Sequence, residues 1–150
     1  MYRLTVNVGF SAGHRLLGYD GKCISPHGHS YVADVQLRGP ELDQLGMLYD
    51  FSALKSSVKS WIADNWDHAF LANDHDTELI EALRSVRDSR IFLFVNCNPT
   101  AENMARVLLD NLRVAIGESV YGVSIWETAE QCASFEYDTA PPSSPRRRYT

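Results

Sequence analysis

Apolar and polar residues alternate along two stretches near the N-terminus. The first stretch, 2–10, carries its apolar side chains at Tyr2, Leu4, Val6, Val8 and Phe10. The second stretch, 30–38, repeats the alternation with Tyr31, Ala33, Val35 and Leu37. Because side chains of a strand point to opposite faces in turn, each stretch is predicted to form a strand with one buried face. The simplest arrangement is an antiparallel pair joined by a long connection.

Helical spacing of apolar residues follows in two longer stretches. Leu54, Val58, Trp61 and Ile62 predict a helix over 51–64. A second helix has Met104, Val107, Leu108, Leu112 and Ala115 on one face. Asn98-Pro99 is a favourable start for this helix, as an N-cap followed by proline, and Gly117 is expected to end it.

Shorter elements are predicted between and after these helices. Thr77 can cap a short helix, and the apolar run 91–95 is typical of a short strand. Two further strands are predicted over 120–128 and 132–138. The main elements therefore follow the order β-β-α-α-β-β, which predicts an α+β fold with a four-stranded antiparallel sheet and two helices on one face. Such a sheet has two open edges, so we expect assembly through them.

Composition narrows the class of protein. A hydrophobic fraction of 45% and a charged fraction of 22% are those of a soluble globular domain. The domain is expected over 1–138, followed by a disordered tail over 139–150 that carries three arginines. Without them, 11 basic residues face 19 acidic ones, which argues against nucleic acid as a partner. We expect no membrane span and no export signal, hence a cytoplasmic protein.

Three histidines form the strongest candidate site. His27 and His29 flank one glycine, and an extended backbone would project both imidazoles to the same side. A hairpin would bring His14, at the end of the facing strand, beside them. Three imidazoles without a fourth protein ligand in view fit a catalytic zinc site, which keeps one position open. The alternative is three unrelated surface or packing histidines.

Cys23 lies four residues before His27. A thiol next to a metal ion and Lys22 would have a lowered pKa and react as thiolate. It could also be a fourth, structural zinc ligand or an inert buried thiol. The three cysteines are odd in number and widely spaced, so no disulfide framework is indicated.

Two acidic positions carry further candidate chemistry. Adjacent Asp67 and His68 can form a proton relay, or an ordinary polar pair at a helix end. Glu127 is the acid of an otherwise apolar strand, where it could bind adjacent N–H groups of a ligand in a bidentate way. The alternative for Glu127 is a residue that faces solvent.

The chain resembles the 6-pyruvoyltetrahydropterin synthase / 6-carboxytetrahydropterin synthase family over about residues 4–137. The stretches that carry the resemblance are FSAGHRL, GKCISPHGHSY, GMLYDF, WDHAFL, NPTAEN and WET. It implies the tunnelling fold (T-fold), in which β-β-α-α-β-β subunits join edge to edge. It also implies a hexamer, a dimer of trimers, with active sites between subunits.

The resemblance also implies a role for each candidate residue. His14, His27 and His29 would bind Zn²⁺, Cys23 would be the catalytic thiol, and Asp67 and His68 the relay. Glu127 would anchor the pterin, beside Thr100, Ala101 and Glu102. Lys22 and, less favourably placed, Arg15 are candidates for the triphosphate of the substrate.

Two branches of this family differ in product. The compact spacing of Cys23 and the HGH motif is similar to the carboxy branch, which forms 6-carboxytetrahydropterin, acetaldehyde and triphosphate from 7,8-dihydroneopterin triphosphate, on the queuosine route. The pyruvoyl branch eliminates triphosphate without carbon–carbon cleavage, and the long segment 73–96 departs from compact carboxy-branch members. A zinc- or pterin-binding module without turnover, with Cys23 as fourth ligand, and an ordinary zinc hydrolase are alternatives of another class.

Overall fold

A computed structural model describes residues 1–138, and the predicted tail over 139–150 lies outside them. The secondary structure elements, in chain order, are β1 (Tyr2–His14), β2 (His27–Gly39), α1 (Phe51–Asn65), β3 (Ala69–Asn73), α2 (Thr77–Ser85), β4 (Ile91–Phe94), α3 (Ala101–Ile116), β5 (Val120–Thr128) and β6 (Gln131–Glu136). A short 3₁₀ turn, Lys22–Ile24, lies in the connection between β1 and β2.

The sheet has six strands in the order β4-β3-β1-β2-β5-β6. The predicted antiparallel neighbours β1, β2, β5 and β6 are confirmed, but the predicted number of four strands is wrong. The two extra strands, β3 and β4, extend the sheet beyond β1 in parallel orientation. Strand β4 confirms the short strand predicted over 91–95, whereas β3, which is five residues long, was not predicted because it carries no alternation typical of a half-buried strand.

One hydrophobic core lies between the sheet and the two long helices. Leu54, Val58 and Ile62 of α1 and Met104 and Leu108 of α3 are buried in it against the alternating apolar residues of β1 and β2. Both helices therefore cover the same face, as predicted. The short α2 packs instead with Phe70 and Ala72 of β3, whose neighbours Ala69 and Leu71 belong to the main core. Strand alternation thus places α2 on the opposite face.

The helix starts differ from the prediction by one or two residues. Helix α3 is capped by Thr100, whose hydroxyl accepts from Asn103 N–H at 3.3 Å, rather than by Asn98. The Asn98 side chain is engaged with the backbone of Leu17 instead. Similarly, Asp76 rather than Thr77 caps α2. Gly117 ends α3 with a positive φ of 124°, as predicted.

Within residues 1–138, no helix has the length and apolar character needed to cross a membrane.

Candidate active site and metal centre

The β1–β2 pair brings three histidines together near its tip. His14 lies opposite His27, and Ala12 lies opposite His29, so all three imidazoles are on the same face of the sheet. The ring centroids are 4.6 Å apart for His14 and His27, 5.2 Å for His14 and His29, and 5.0 Å for His27 and His29. One ring nitrogen from each lies within 4.8 Å of the others. The antiparallel register thus creates the cluster from residues distant in sequence.

Backbone carbonyls fix the orientation of two of these rings. His14 Nδ1 lies 2.7 Å from the carbonyl oxygen of Pro99, and His27 Nδ1 lies 2.7 Å from that of Ser25. A carbonyl oxygen only accepts, so Nδ1 must carry the hydrogen in both rings. Each neutral imidazole then presents a bare Nε2 to the cluster, and this is the usual arrangement around a protein-bound metal.

The spacing of these nitrogen atoms fits a metal ion. His14 Nε2 and His27 Nε2 are 3.1 Å apart. Two lone pairs at this distance repel each other unless a cation lies between them. Tetrahedral zinc with bonds of about 2.0–2.1 Å separates its ligands by about 3.3 Å. Burial lowers the pKa of His14, which favours the neutral, ligating form. The three histidines therefore fit Zn²⁺.

A cavity of about 320 Å³ opens beside His14 and contains most of the predicted site. Its walls include Cys23, Thr100, Ala101, Glu102 and Glu127. The structure thus brings the candidate thiol, the candidate pterin anchor and the start of α3 to the same place as one metal ligand. Lys22 is exposed next to Cys23 and is not part of these walls.

Glu127 reaches this cavity because of an irregularity in β5. The β5–β6 register shifts between Trp126 and Thr128, so that Glu127 lies at a bulge. Bulges re-aim a side chain at the cost of local pairing. Glu127 Oε1 lies 4.0 Å from His14 Nε2, and the side chain is 26% exposed. This position in the cavity wall favours the ligand-binding interpretation of Glu127 over the solvent-facing alternative.

Cys23 lies outside the histidine cluster in this geometry. It belongs to the 3₁₀ turn Lys22–Ile24 and is partly exposed, and its sulfur is absent from the group of close ligand atoms. Its carbonyl accepts from Leu16 N–H at 2.8 Å. The side chain of Asn98 holds both the N–H and the carbonyl of Leu17. Two links therefore tie the thiol-bearing loop to the rest of the site.

Cys132 was missed as a site residue. It lines the same cavity as Cys23, together with Tyr19 and Gln131. Cys132 could be recognised only by combining the position of Glu127 with the tight β5–β6 turn. Because this turn pairs Cys132 with Trp126, Cys132 lies beside Glu127 in the sheet. Spacing along the sequence does not reveal this.

Asp67 and His68 form a pair, but at a different cavity. Asp67 Oδ1 accepts from Ser11 N–H at 3.0 Å and lies 3.0 Å from His68 Nδ1. The Ser11 hydrogen bond holds the pKa of Asp67 below its usual value, and His68 acts in the same direction. His68 has a left-handed φ of 57°, and its side chain is 77% exposed. Within one chain, the structure does not bring this pair to Cys23.

The suggested role of Arg15 in triphosphate binding is contradicted. Its Nε donates to Asp76 Oδ2 at 2.6 Å, and its Nη2 lies 3.3 Å from Glu78 Oε2. Asp76 is buried and also accepts from Leu79 N–H. The guanidinium is therefore committed to the start of α2.

Tyr31 is a further residue that the sequence did not indicate. Its ring contacts those of His14 and His29, with centroids 6.0 Å and 5.3 Å away. The hydroxyl is buried and has no hydrogen-bond partner among the described residues. Burial, with the nearby Glu127 and Cys23 as smaller causes, raises the pKa of the phenol, which stays a neutral donor.

A sheet with two long helices on one face, and a three-histidine cluster with an adjacent thiol and carboxylate, are the features of an α+β enzyme with a candidate metal centre. Residues 3–138 match the family model described as 6-pyruvoyl tetrahydropterin synthase. The chain belongs to this family.

Similar proteins bear both names found in the family. The 6-carboxy-5,6,7,8-tetrahydropterin synthase of Rickettsia felis is 33% identical over 132 residues, which cover 85% of this chain and 95% of the relative. The probable 6-carboxy-5,6,7,8-tetrahydropterin synthase of Halobacterium salinarum is 40% identical, over 79% of this chain and 74% of the relative. The structure of Caenorhabditis elegans 6-pyruvoyl tetrahydropterin synthase is 28% identical in sequence and has a TM-score of 0.66. The match covers 91% of this chain and 96% of that protein.

Proposed function

We propose that this chain is a zinc-dependent 6-carboxy-5,6,7,8-tetrahydropterin synthase. The reaction converts 7,8-dihydroneopterin triphosphate into 6-carboxytetrahydropterin, acetaldehyde and triphosphate, and the atom balance requires uptake of one water. The Rickettsia and Halobacterium relatives, which bear this name, support the choice of product. So does the compact spacing of Cys23, His27 and His29. The product would serve the queuosine route.

The observation that carries the proposal is one cavity with three kinds of chemistry. His14 belongs to the metal-ligand cluster, Cys23 supplies a thiol, and Glu127 supplies a carboxylate 4.0 Å from the His14 Nε2. A volume of about 320 Å³ is at the lower end of those that take small organic ligands. A heterocycle with a short side chain can therefore lie between the carboxylate and the metal ligands.

Glu127 and the start of α3 would hold the pterin ring. A carboxylate accepts two parallel hydrogen bonds from adjacent N–H groups, as on the guanidine-like edge of a pterin. Thr100, Ala101 and Glu102 line the same cavity along the ring. This contact contributes by positioning, because it fixes how far the side chain of the substrate reaches toward the histidines.

Cys23 would act as the base on the side chain of the substrate. Its sulfur lies outside the cluster of ligand atoms, which supports a base over a fourth ligand and speaks against the non-catalytic module. When bound, zinc would stabilise negative charge on side-chain oxygens. Lys22, exposed next to the thiol, would approach the phosphates.

The Asp67–His68 pair would complete the site of a neighbouring subunit. Asp67 orients the imidazole through its 3.0 Å contact, and the exposed ring can then exchange a proton. Because His68 and Cys23 line separate cavities in one chain, we propose a homo-oligomer in which they meet across an interface. The hexamer of the family, a dimer of trimers, is the expected form.

We place the enzyme in the cytoplasm. Three cysteines without a disulfide among the described residues fit a reducing compartment, where a thiol can remain available for catalysis.

The deciding experiment is product analysis. Purified zinc-loaded protein is incubated with 7,8-dihydroneopterin triphosphate, and the pterin is identified by mass while acetaldehyde is trapped as a hydrazone. We expect a pterin with a one-carbon carboxyl side chain and an equal amount of acetaldehyde. Only carbon–carbon cleavage forms acetaldehyde, so triphosphate release alone does not discriminate the branches.

The second candidate is 6-pyruvoyltetrahydropterin synthase. Two observations favour it: the structural likeness to the Caenorhabditis elegans protein and the long segment 73–96, which here forms α2 and β4. A pterin that keeps its three-carbon side chain, without acetaldehyde, would establish this alternative and leave the metal and thiol roles intact.

A further inference from the structure

A second, larger cavity lies on the other face of the β1–β2 tip. Its volume is about 750 Å³, and its polar lining comes from Ser11, His29, Ser30, His68, Arg87, Asp88, Ser89 and Arg90. Ser11 lies opposite Ser30, one residue out of phase with Ala12 and His29, so both hydroxyls face away from the histidine cluster. His29 also lines this cavity, whereas His14 and His27 are not among its lining residues, so the cavity adjoins the histidine cluster at one member.

The lining of this cavity is suited to an anion. It combines hydroxyl groups, two guanidinium groups and the residues His29 and His68, and Asp88 is the acid that lines it. Planar guanidinium groups match phosphate oxygens with two parallel hydrogen bonds. A volume of about 750 Å³ is typical of sites for small ligands.

Arg87 is the cation that a ligand can recruit here. Its side chain is 95% exposed and pairs with Asp88, itself 88% exposed, at 3.5 Å. Exposed pairs of this kind contribute little, so the guanidinium can turn to a stronger partner. Arg90, in contrast, donates to the carbonyls of Ala63, Asp64 and Asp67 at 2.7–3.0 Å. It holds the end of α1 and the turn that carries His68.

The substrate of the proposed function provides such an anion, and this inference rests on that function. His68 would exchange a proton with the three-carbon side chain of the pterin, and the triphosphate is attached to the same short side chain. The phosphates must therefore lie near His68 during turnover. A chain with a net charge of −5 needs local cations to hold a polyanion, and Arg15 is already bound to Asp76.

We propose that the cavity beside His68 binds the triphosphate of the substrate, with Arg87 as its principal cationic contact. In the assembled protein, this cavity would face the metal centre of a neighbouring subunit. Segment 83–90 thus provides a polyphosphate subsite, in addition to Lys22 next to the thiol.

Calorimetric titration of the zinc-loaded full chain with inorganic triphosphate tests this directly. Replacing Arg87 by Ala removes one charged contact and should weaken triphosphate binding about tenfold. Arg87→Lys should restore part of the affinity, since it keeps the charge but loses the planar fork. Arg84→Ala is the matched control: Arg84 is exposed in the last turn of α2 but does not line the cavity.

A second measurement separates the subsite from general effects. The KM for 7,8-dihydroneopterin triphosphate should rise by the same factor in Arg87→Ala, whereas the affinity for 7,8-dihydroneopterin, which has no phosphate, should stay unchanged. Equal triphosphate affinity in wild type and Arg87→Ala, or an equal loss in Arg84→Ala, would overturn the inference. Arg87-dependent triphosphate binding in a protein that forms no product would support the subsite while refuting the proposed reaction.

Discussion

The carboxylate of Asp76 joins the guanidinium of Arg15 to the first turn of α2. Arg15 Nε donates to Asp76 Oδ2 at 2.6 Å, while Asp76 Oδ1 accepts from Leu79 N–H at 3.3 Å. The carboxylate is 2% exposed. Because Arg15 directly follows His14, this ion pair also connects the end of β1, which bears a candidate metal ligand, to the start of α2.

We expect Asp76→Asn to lower the free energy of unfolding by about 3 kcal/mol at pH 7, since it removes the buried charged partner of the Arg15 guanidinium and leaves only the exposed Glu78 carboxylate at 3.3 Å. The hydrogen bond from Arg15 holds the pKa of Asp76 below its ordinary 3.8. As the pH falls, the Asp76 carboxylate is therefore protonated in the unfolded chain before it is protonated in the folded one. The stabilisation by this carboxylate is complete above pH 3.8 and is lost as the pH falls through the lower pKa of the folded state. Urea unfolding at pH 7 and pH 3 compares pH values above and below the ordinary pKa of 3.8, and the loss caused by Asp76→Asn should be smaller at pH 3.

Asp88→Asn serves as the control for that comparison, because Asp88 is 88% exposed and should lose little at either pH. A loss for Asp76→Asn that is equally large at pH 7 and pH 3 would contradict the ion-pair explanation.

Metal content tests the histidine cluster. Elemental analysis of the purified protein should give about one zinc per chain. Replacing His27 or His29 by Ala leaves two imidazoles, so the metal should be lost on dialysis. His75→Ala should retain zinc, because His75 lies apart and bonds Asn96 at 2.7 Å. Full zinc in the double variant of His27 and His29 would refute this centre.

Cys23→Ala should keep the zinc and the unfolding midpoint but lower kcat at least about a hundredfold, as expected for removal of a general base. Steady-state activity assays and metal analysis of the same sample measure kcat and zinc content. Cys97→Ala is the control, since Cys97 packs against the core away from the cavity. Loss of zinc from Cys23→Ala would instead favour a fourth ligand. Cys132 is unsuitable as a control because it shares the cavity.

Assembly can be tested with two inactive variants. Light scattering should show an oligomer, with a hexamer as the expected size. Cys23→Ala and His68→Ala should each lack activity, but subunit exchange between them should restore part of it, because an intact site then forms from one Cys23 and a partner chain's intact His68. Mixed oligomers that stay inactive would place both groups of the site in one chain.

Much of this architecture could be predicted because burial imposes a period on the sequence. The alternation in 2–10 identifies β1, and residues spaced as Leu54, Val58 and Ile62 identify α1. Strands β3 and β4 leave no such period: Leu71 and Ala72 are both buried, on opposite faces, so the pattern becomes a short apolar run. The pattern therefore identified five of the six strands, β4 as an apolar run whose place in the sheet was not predicted, and it missed β3.

The site divides in the same way. The three histidines could be predicted because a hairpin register follows from period two. In contrast, the pairings of polar groups that are distant in the sequence could not be predicted. Arg15 with Asp76 and Asn98 with Leu17 join residues 61 and 81 positions apart, and each partner also has an ordinary local role that sequence reasoning prefers. Asn98, for instance, is a good helix cap in isolation.

The carbonyl oxygen of Pro99 accepts from His14 one residue before the N-cap of α3, so a single hydrogen bond joins the start of this helix to the histidine cluster. A pterin ring bound against Thr100 and Ala101 would contact the peptide group between Pro99 and Thr100. The carbonyl of this peptide group accepts from His14 Nδ1 and so influences the electron density at Nε2. Binding of the organic ligand would thereby alter the surroundings of a metal held by His14 through this one hydrogen bond. Spectra of a cobalt-loaded protein should therefore change when a pterin without any phosphate or reactive side chain enters.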